Sequence, residues 1–147
     1  MFQKILVVCV GNICRSPMAE TLLCEQFFKR NQKIYVSSAG INALINHPAD
    51  PMAQELMSAR GLDISSHRTR QLTPQLLLDN ELILIMETRH QEGIEGILPS
   101  VRGKVYRLGK WGDFDIPDPY QRPRFAFEQA LALIEQGVDE WQRKLWN

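Results

Sequence analysis

The chain has 147 residues, close to the size of one domain and long enough to enclose a core without disulfide staples. Its 17 basic and 17 acidic side chains give a formal net charge of zero, which lacks the basic excess of a nucleic-acid binder. No stretch approaches the roughly 20 apolar residues of a membrane span, and Met-Phe-Gln-Lys leads straight into a strand with no room for a signal peptide, so the cytoplasm is the expected compartment.

The first element is predicted at Lys4–Val8, where Ile5, Leu6, Val7 and Val8 read as a buried strand. A helix follows over Pro17–Arg30, with Ser16 as its cap and Pro17 in the first turn. Ile34–Ser38 forms a short second strand ending at Ala39-Gly40. Asp50-Pro51 repeats the cap-plus-proline signal before a helix over Met52–Arg60, which Gly61 stops. Thr73-Pro74 opens another helix, running to about Asn80. Glu81–Met86 is a third strand, Thr88–Gly93 a short helix and Lys104–Leu108 a fourth strand. In the last segment Phe127, Ala130, Leu131, Ile134, Val138, Trp141 and Leu145 recur at the spacing of one helix face. Gly137 inside it costs about 1 kcal/mol of propensity, which predicts a tertiary reason for its presence.

Strand and helix alternate with no repeat or linker, so residues 1–147 are expected to form a single α/β domain. Its mostly parallel sheet is covered by helices on both faces. Ligands of such sheets bind beyond the carboxyl ends of the strands, where the loop after Val8 lies. The three cysteines, Cys9, Cys14 and Cys24, form neither a secreted disulfide framework nor a zinc spacing. His47, His67 and His90 show no ligand pattern, and no metal is expected.

The loop reads Cys9-Val10-Gly11-Asn12-Ile13-Cys14-Arg15-Ser16-Pro17 between the first strand and the first helix. A loop of this length can curl round a tetrahedral oxyanion, with backbone N–H groups inward, Arg15 as a bidentate clamp and the helix N-terminus adding positive potential. Gly11 and Asn12 tolerate the left-handed backbone such a curl demands. Cys9 sits at the floor, where its thiolate is stabilised and can attack phosphorus, and the Ser16 hydroxyl is placed to hydrogen-bond the sulfur. The leaving oxygen then needs a proton. Asp118 in Ile116-Pro117-Asp118-Pro119-Tyr120 is the expected donor, because flanking prolines make a rigid loop. Asp118 would next activate the hydrolytic water, and Tyr120 line the mouth against an aromatic leaving group. A buried structural cysteine and a proline-rich surface turn account for each segment alone, but not for both together.

Val-Cys-Val-Gly-Asn-Ile-Cys-Arg-Ser-Pro at 8–17, with Asp-Pro-Tyr at 118–120, resembles the low-molecular-weight protein tyrosine phosphatases, particularly their bacterial members. The similarity extends to Val-Ser-Ser-Ala-Gly at 36–40, Pro-Ala-Asp-Pro at 48–51 and His-Arg-Thr-Arg-Gln-Leu at 67–72. The resemblance implies a four-stranded parallel sheet with helices on both faces, and no metal or cofactor. It implies Cys9 as nucleophile, Arg15 as phosphate clamp and Asp118 as general acid and base. Backbone amides from Val10 to Arg15, including Gly11, Ile13 and Cys14, would cradle the oxyanion. Asn12 and Ser16 would hold the loop and stabilise the thiolate, with Ser38 and His67 supporting that network. In relatives a second loop cysteine, here Cys14, can pair with the nucleophile on oxidation; Cys14 is equally suited simply to fitting the loop.

Two positions depart from the vertebrate pattern. Gln121 follows Asp-Pro-Tyr where a second tyrosine stands, and Asn42-Ala43-Leu44-Ile45 replaces an aromatic rim, leaving Leu44 as the expected apolar rim contact. The bacterial branch fits better and implies a phosphotyrosine protein substrate, namely a tyrosine autokinase controlling capsule or exopolysaccharide export. The oligomeric state stays open. Three alternatives share the loop. A thioredoxin-coupled arsenate reductase needs cysteines beyond Cys24, and the chain has none. Phosphoarginine phosphatases carry Thr where this chain has Ile13, and a non-catalytic phosphate-binding module has no need of Asp118.

Overall fold

Five consecutive buried residues, Ile5 to Cys9, put strand β1 (Lys4–Cys9) inside the sheet rather than at its edge. The structure, a computed structural model, describes residues 2–146. β1 pairs in parallel with β2 (Tyr35–Gly40) and β3 (Leu82–Ile85), and β3 pairs with β4 (Val105–Arg107), giving the order β2-β1-β3-β4. Alternating side chains of β1 point to opposite faces. Ile5, Val7 and Cys9 join a core with residues of helices α1 (Arg15–Lys29), α2 (Pro51–Ser58) and α5 (Arg124–Trp141). Leu6 and Val8 join a smaller core with α3 (Pro74–Asp79) and α4 (His90–Ile97). Helices therefore cover both faces, as expected.

Register fixes what meets at the carboxyl edge. Cys9 stands opposite Gly40, Val8 opposite Ile85, and Ile85 opposite Arg107. The loop after β1, the start of the segment after β2 and Met86-Glu87 after β3 thus converge there.

Several boundaries differ from the sequence reading, each for a local reason. Helix α1 starts at Arg15, and Ser16 is not its cap: the N-cap residue is Cys14 with no side-chain cap bond. The Ser16 hydroxyl is instead occupied by Cys9 and Asn12. The expected helix at Thr88–Gly93 begins only at His90, because Asp115 Oδ1 accepts both the N–H and the hydroxyl of Thr88. A 3-10 turn at Pro99–Lys104 shortens β4 from its amino end. Helix α5 gives way to a π turn at Gln142–Trp146, so Leu145 leaves the apolar stripe half-buried while Trp146 is buried. Asp50 does cap α2, accepting the Met52 N–H at 2.8 Å. Gly137 has its tertiary reason: a Cβ there would lie 2.9 Å from both Cγ and the carbonyl oxygen of Leu108.

Candidate active site

The segment joining β1 to α1 is pressed against the end of β2. A Cβ on Gly40 would stand 2.6 Å from the Val10 carbonyl oxygen and 3.0 Å from the Asn12 nitrogen, so only glycine admits the loop at this distance. The loop's carbonyls are tied to the surrounding chain. Ile41 and Asn42 donate to the carbonyls of Cys9 and Val10, each at 2.9 Å, and Asp50 donates to that of Ile13 at 2.9 Å. His67 Nε2 donates to the carbonyl of Asn12 at 2.7 Å, which fixes the ring proton on that nitrogen. Among the described residues, the N–H groups of Val10, Gly11, Asn12, Ile13 and Cys14 donate to no protein acceptor. With the carbonyls drawn outward, those donors are left for an anion.

Asn12 sets the curl. Its φ of 59° is left-handed, whereas Gly11, the other residue expected to serve there, does not use that region. Asn12 Nδ2 donates to Ser16 Oγ at 2.8 Å and to Ser38 Oγ at 2.9 Å, while its Oδ1 accepts the Arg70 N–H at 3.0 Å. Ser16 Oγ also lies 3.0 Å from Cys9 Sγ, and against a thiolate, which can only accept, the hydroxyl is the donor. Ser38 likewise accepts from Asn12 and donates to Glu20 at 2.5 Å. The Arg70 guanidinium braces the same strand end by donating to the Ser38 carbonyl. This chain of bonds holds one hydroxyl against one sulfur.

The two loop thiols are not equivalent. Burial, then the nearby Asp50 carboxylate, pushes the Cys14 thiol far above the ordinary range, so Cys14 stays protonated. Of the two, Cys9 has a hydroxyl within hydrogen-bond reach of its sulfur.

Arg15 is 1% exposed, yet its charge is matched on one side. Nη1 donates to Glu87 Oε1 at 2.5 Å and to the Ile116 carbonyl at 2.7 Å, while Nη2 lies 3.5 Å from Asp118 Oδ2. Burial would raise the Glu87 carboxyl, but hydrogen bonds from Arg89 and Arg15 outweigh it and hold the group below its usual range. The Asp118 loop is fastened at Ile116, whose N–H donates to Met86 at 2.9 Å, and Asp118 Oδ1 accepts the Tyr120 N–H at 3.1 Å.

These groups surround one cavity of about 310 Å³. Cys9, Val10, Gly11, Ile13, Cys14 and Arg15 form its floor and wall, and Asn42, Leu44, Asp118 and Tyr120 complete the lining. Leu44 and Tyr120 are partly exposed, as a rim requires. Asn12, Ser16, Ser38 and His67 lie beneath the loop and not in the wall, so Asn12 and Ser16 act through Cys9 and the backbone. Glu87, Arg70, Glu20 and Gly40 were not singled out in the sequence. Gly40 and Arg70 fall within the stretches at 36–40 and 67–72, and Glu87 lies two residues beyond the buried end of β3. A thiol under free N–H donors, a guanidinium in the wall and a carboxyl at the rim are the parts needed to bind and split a phosphate monoester.

The chain is matched by the family model for low molecular weight phosphotyrosine protein phosphatase over residues 4–147. A Ralstonia solanacearum protein described as "Probable low molecular weight protein-tyrosine-phosphatase EpsP" is 50% identical over 141 residues, covering 96% of this chain and 94% of its own. The fold matches the tyrosine phosphatase amsI of Erwinia amylovora with a TM-score of 0.94 and 37% identity, over 100% of this chain and 95% of that one. It matches Vibrio vulnificus Wzb in complex with benzylphosphonate with a TM-score of 0.93 and 44% identity, over 99% and 100%.

Proposed function

The chain belongs to the low molecular weight protein-tyrosine-phosphatase family, in its bacterial capsule and exopolysaccharide group, and we propose that Cys9, Arg15 and Asp118 divide its reaction between them. The enzyme hydrolyses phosphotyrosine in proteins. In the first step the Cys9 thiolate attacks phosphorus in line, forming the S–P bond as the P–O bond to tyrosine breaks. Asp118 gives its proton to the departing phenolate oxygen. The loop N–H groups and Arg15 hold the equatorial oxygens throughout, where charge builds. In the second step water attacks the cysteinyl-phosphate, Asp118 takes the proton from that water, and inorganic phosphate and the thiolate leave. The hydroxyl of Ser16 stabilises the sulfur each time it becomes an anion.

The observation that carries this reading is the single cavity shared by Cys9, Arg15 and Asp118, with Ile13 and Leu44 supplying apolar wall for an aryl ring. Ile13 suits an aromatic ring better than a guanidinium, which favours phosphotyrosine over phosphoarginine. Benzylphosphonate, the ligand held by the Vibrio vulnificus relative, carries an aromatic ring one methylene from its phosphonate and fits the same description. The physiological substrate we infer is a tyrosine autokinase of capsule or exopolysaccharide export. Residues 1–147 would act in the cytoplasm as one domain; no helix among the described residues is long and apolar enough to cross a membrane. Hydrolysis of p-nitrophenyl phosphate, abolished in Cys9→Ser, tests the chemistry. Capture of a phosphorylated kinase on Asp118→Ala tests the partner.

A further inference from the structure

Asp118 borders two hollows. On one side is the catalytic cavity; on the other a shallower groove of about 750 Å³ runs along α5. Pro117, Arg122, Phe125, Ala126, Ala132 and Leu133 contribute to its lining. Phe125 and Ala132 lie seven residues apart, as do Ala126 and Leu133, so they form a stripe beside the core-facing one. The outer side of that stripe is open, with Phe125 66% exposed and Ala132 exposed, while Ala126 and Leu133 are half-buried and form its floor. At the end nearer Asp118 stands Arg122, whose guanidinium makes no hydrogen bond or ion pair among the described residues.

An apolar stripe left open on a single domain marks a surface that something covers. Its continuity with the catalytic cavity says what. When a tyrosine ring enters the cavity, the polypeptide bearing it leaves in two directions across the rim formed by Leu44, Tyr120 and Asp118, and on the Asp118 side the rim opens into this groove. From Phe125 to Leu133 the helix spans about 12 Å at 1.5 Å per residue, a length that three or four extended residues cover at about 3.4 Å each. A small ester such as p-nitrophenyl phosphate has no chain to lay there.

We propose that this groove docks the polypeptide flanking the phosphotyrosine, selecting apolar side chains within about four residues of it and a carboxylate beside Arg122. The proposal rests on the phosphatase reading above and adds its sequence preference. Alanines at 126 and 132 keep the floor low enough for a bulky aliphatic or aromatic side chain, and Phe125 supplies a wall for it. Arg122, the cation without a partner at that end, sets the preference for an acidic neighbour.

Phosphotyrosine peptides matched in length, with leucine or serine on either flank, are compared by phosphate release, with p-nitrophenyl phosphate in parallel. The unaltered enzyme should favour the leucine peptide on one flank by about tenfold in kcat/KM, mostly through KM, the discrimination of one apolar contact. In Ala132→Glu that ratio should fall close to one. In Arg122→Glu, a preference for a glutamate over a lysine flank should invert. Equal rates for the leucine and serine peptides, or a ratio that Ala132→Glu leaves unchanged, would overturn the docking role while p-nitrophenyl phosphate turnover upheld the catalytic one. A dimer in sedimentation that Ala132→Glu dissolves would also overturn it, assigning the groove to a second copy. Failure of the unaltered enzyme on every ester would strike the phosphatase reading itself.

Discussion

The buried Arg15 and the half-buried Glu87 form an ion pair, Nη1 to Oε1 at 2.5 Å, that joins the first residue of α1 to the segment following β3. Glu87 occupies one edge of the guanidinium, so the rest of it faces the cavity and Asp118. A lone charge at 1% exposure is costly, and removing one partner of such a pair typically costs about 3–5 kcal/mol. Glu87→Ala should therefore unfold at clearly lower denaturant concentration. Glu87→Gln keeps an acceptor but not the charge; it should fold and lose at least about tenfold in kcat/KM, as expected where a supporting residue loosens a positioned group. Chemical denaturation and steady-state kinetics on the two variants check both statements.

Asp118 is expected to act on the leaving group. Asp118→Asn should lower kcat on phosphotyrosine by about 10²–10⁴, the range of general acid catalysis. On esters of acidic phenols, which leave without protonation, the loss should be much smaller. Equal losses on both substrate types would remove the acid role.

Gly40 is the residue against which the phosphate loop is moulded. In Gly40→Ala the new methyl would meet the Val10 carbonyl at 2.6 Å, and backbone cannot step aside as a side chain does. Overpacking of this kind costs about 1–3 kcal/mol. Loss of phosphate affinity, read by competitive inhibition, should exceed what that destabilisation alone would bring.

The site was legible where it is contiguous in sequence. Cys9 to Pro17 carries its own strand end, cradle and helix start, and the prolines around Asp118 announce a rigid loop without any fold. Gly137 was readable as an anomaly because helix propensity is local, and Leu108 explains it. What was hidden depends on distant pairings. Arg15 and Glu87 are 72 residues apart, and Asn12 and Arg70 58, so no periodicity links them. Ser before Pro is the usual cap signal, yet Ser16 does not cap α1. Its hydroxyl is drawn instead to a sulfur that only the fold brings near. The late start of α4 has the same origin, since Asp115 that binds Thr88 lies 27 residues on.

Acid should weaken the fold through His90. This buried imidazole is held neutral, its pKa lowered to about 4 first by burial and then by the Arg15 charge, against 6.5 for an ordinary histidine. Between those values the unfolded chain takes up a proton that the folded chain refuses. Stability is therefore full above about pH 6.5 and falls as pH drops toward 4, by up to about 3 kcal/mol at one unit per 1.36 kcal/mol. Glu87, depressed below its usual value, adds a further loss only as pH falls below about 4.5. Denaturation midpoints measured from pH 7 to 4 should decline steeply, and His90→Gln should flatten the upper part of that decline.

The central claim is a covalent phosphoenzyme on one named sulfur. Enzyme turning over a phosphotyrosine ester is quenched in acid, digested, and its peptides are weighed by mass spectrometry. One phosphoryl group should appear on Cys9, at higher occupancy in a variant slow to admit water, and none on Cys14. Label on Cys14, or undiminished turnover in Cys9→Ser, would contradict the account.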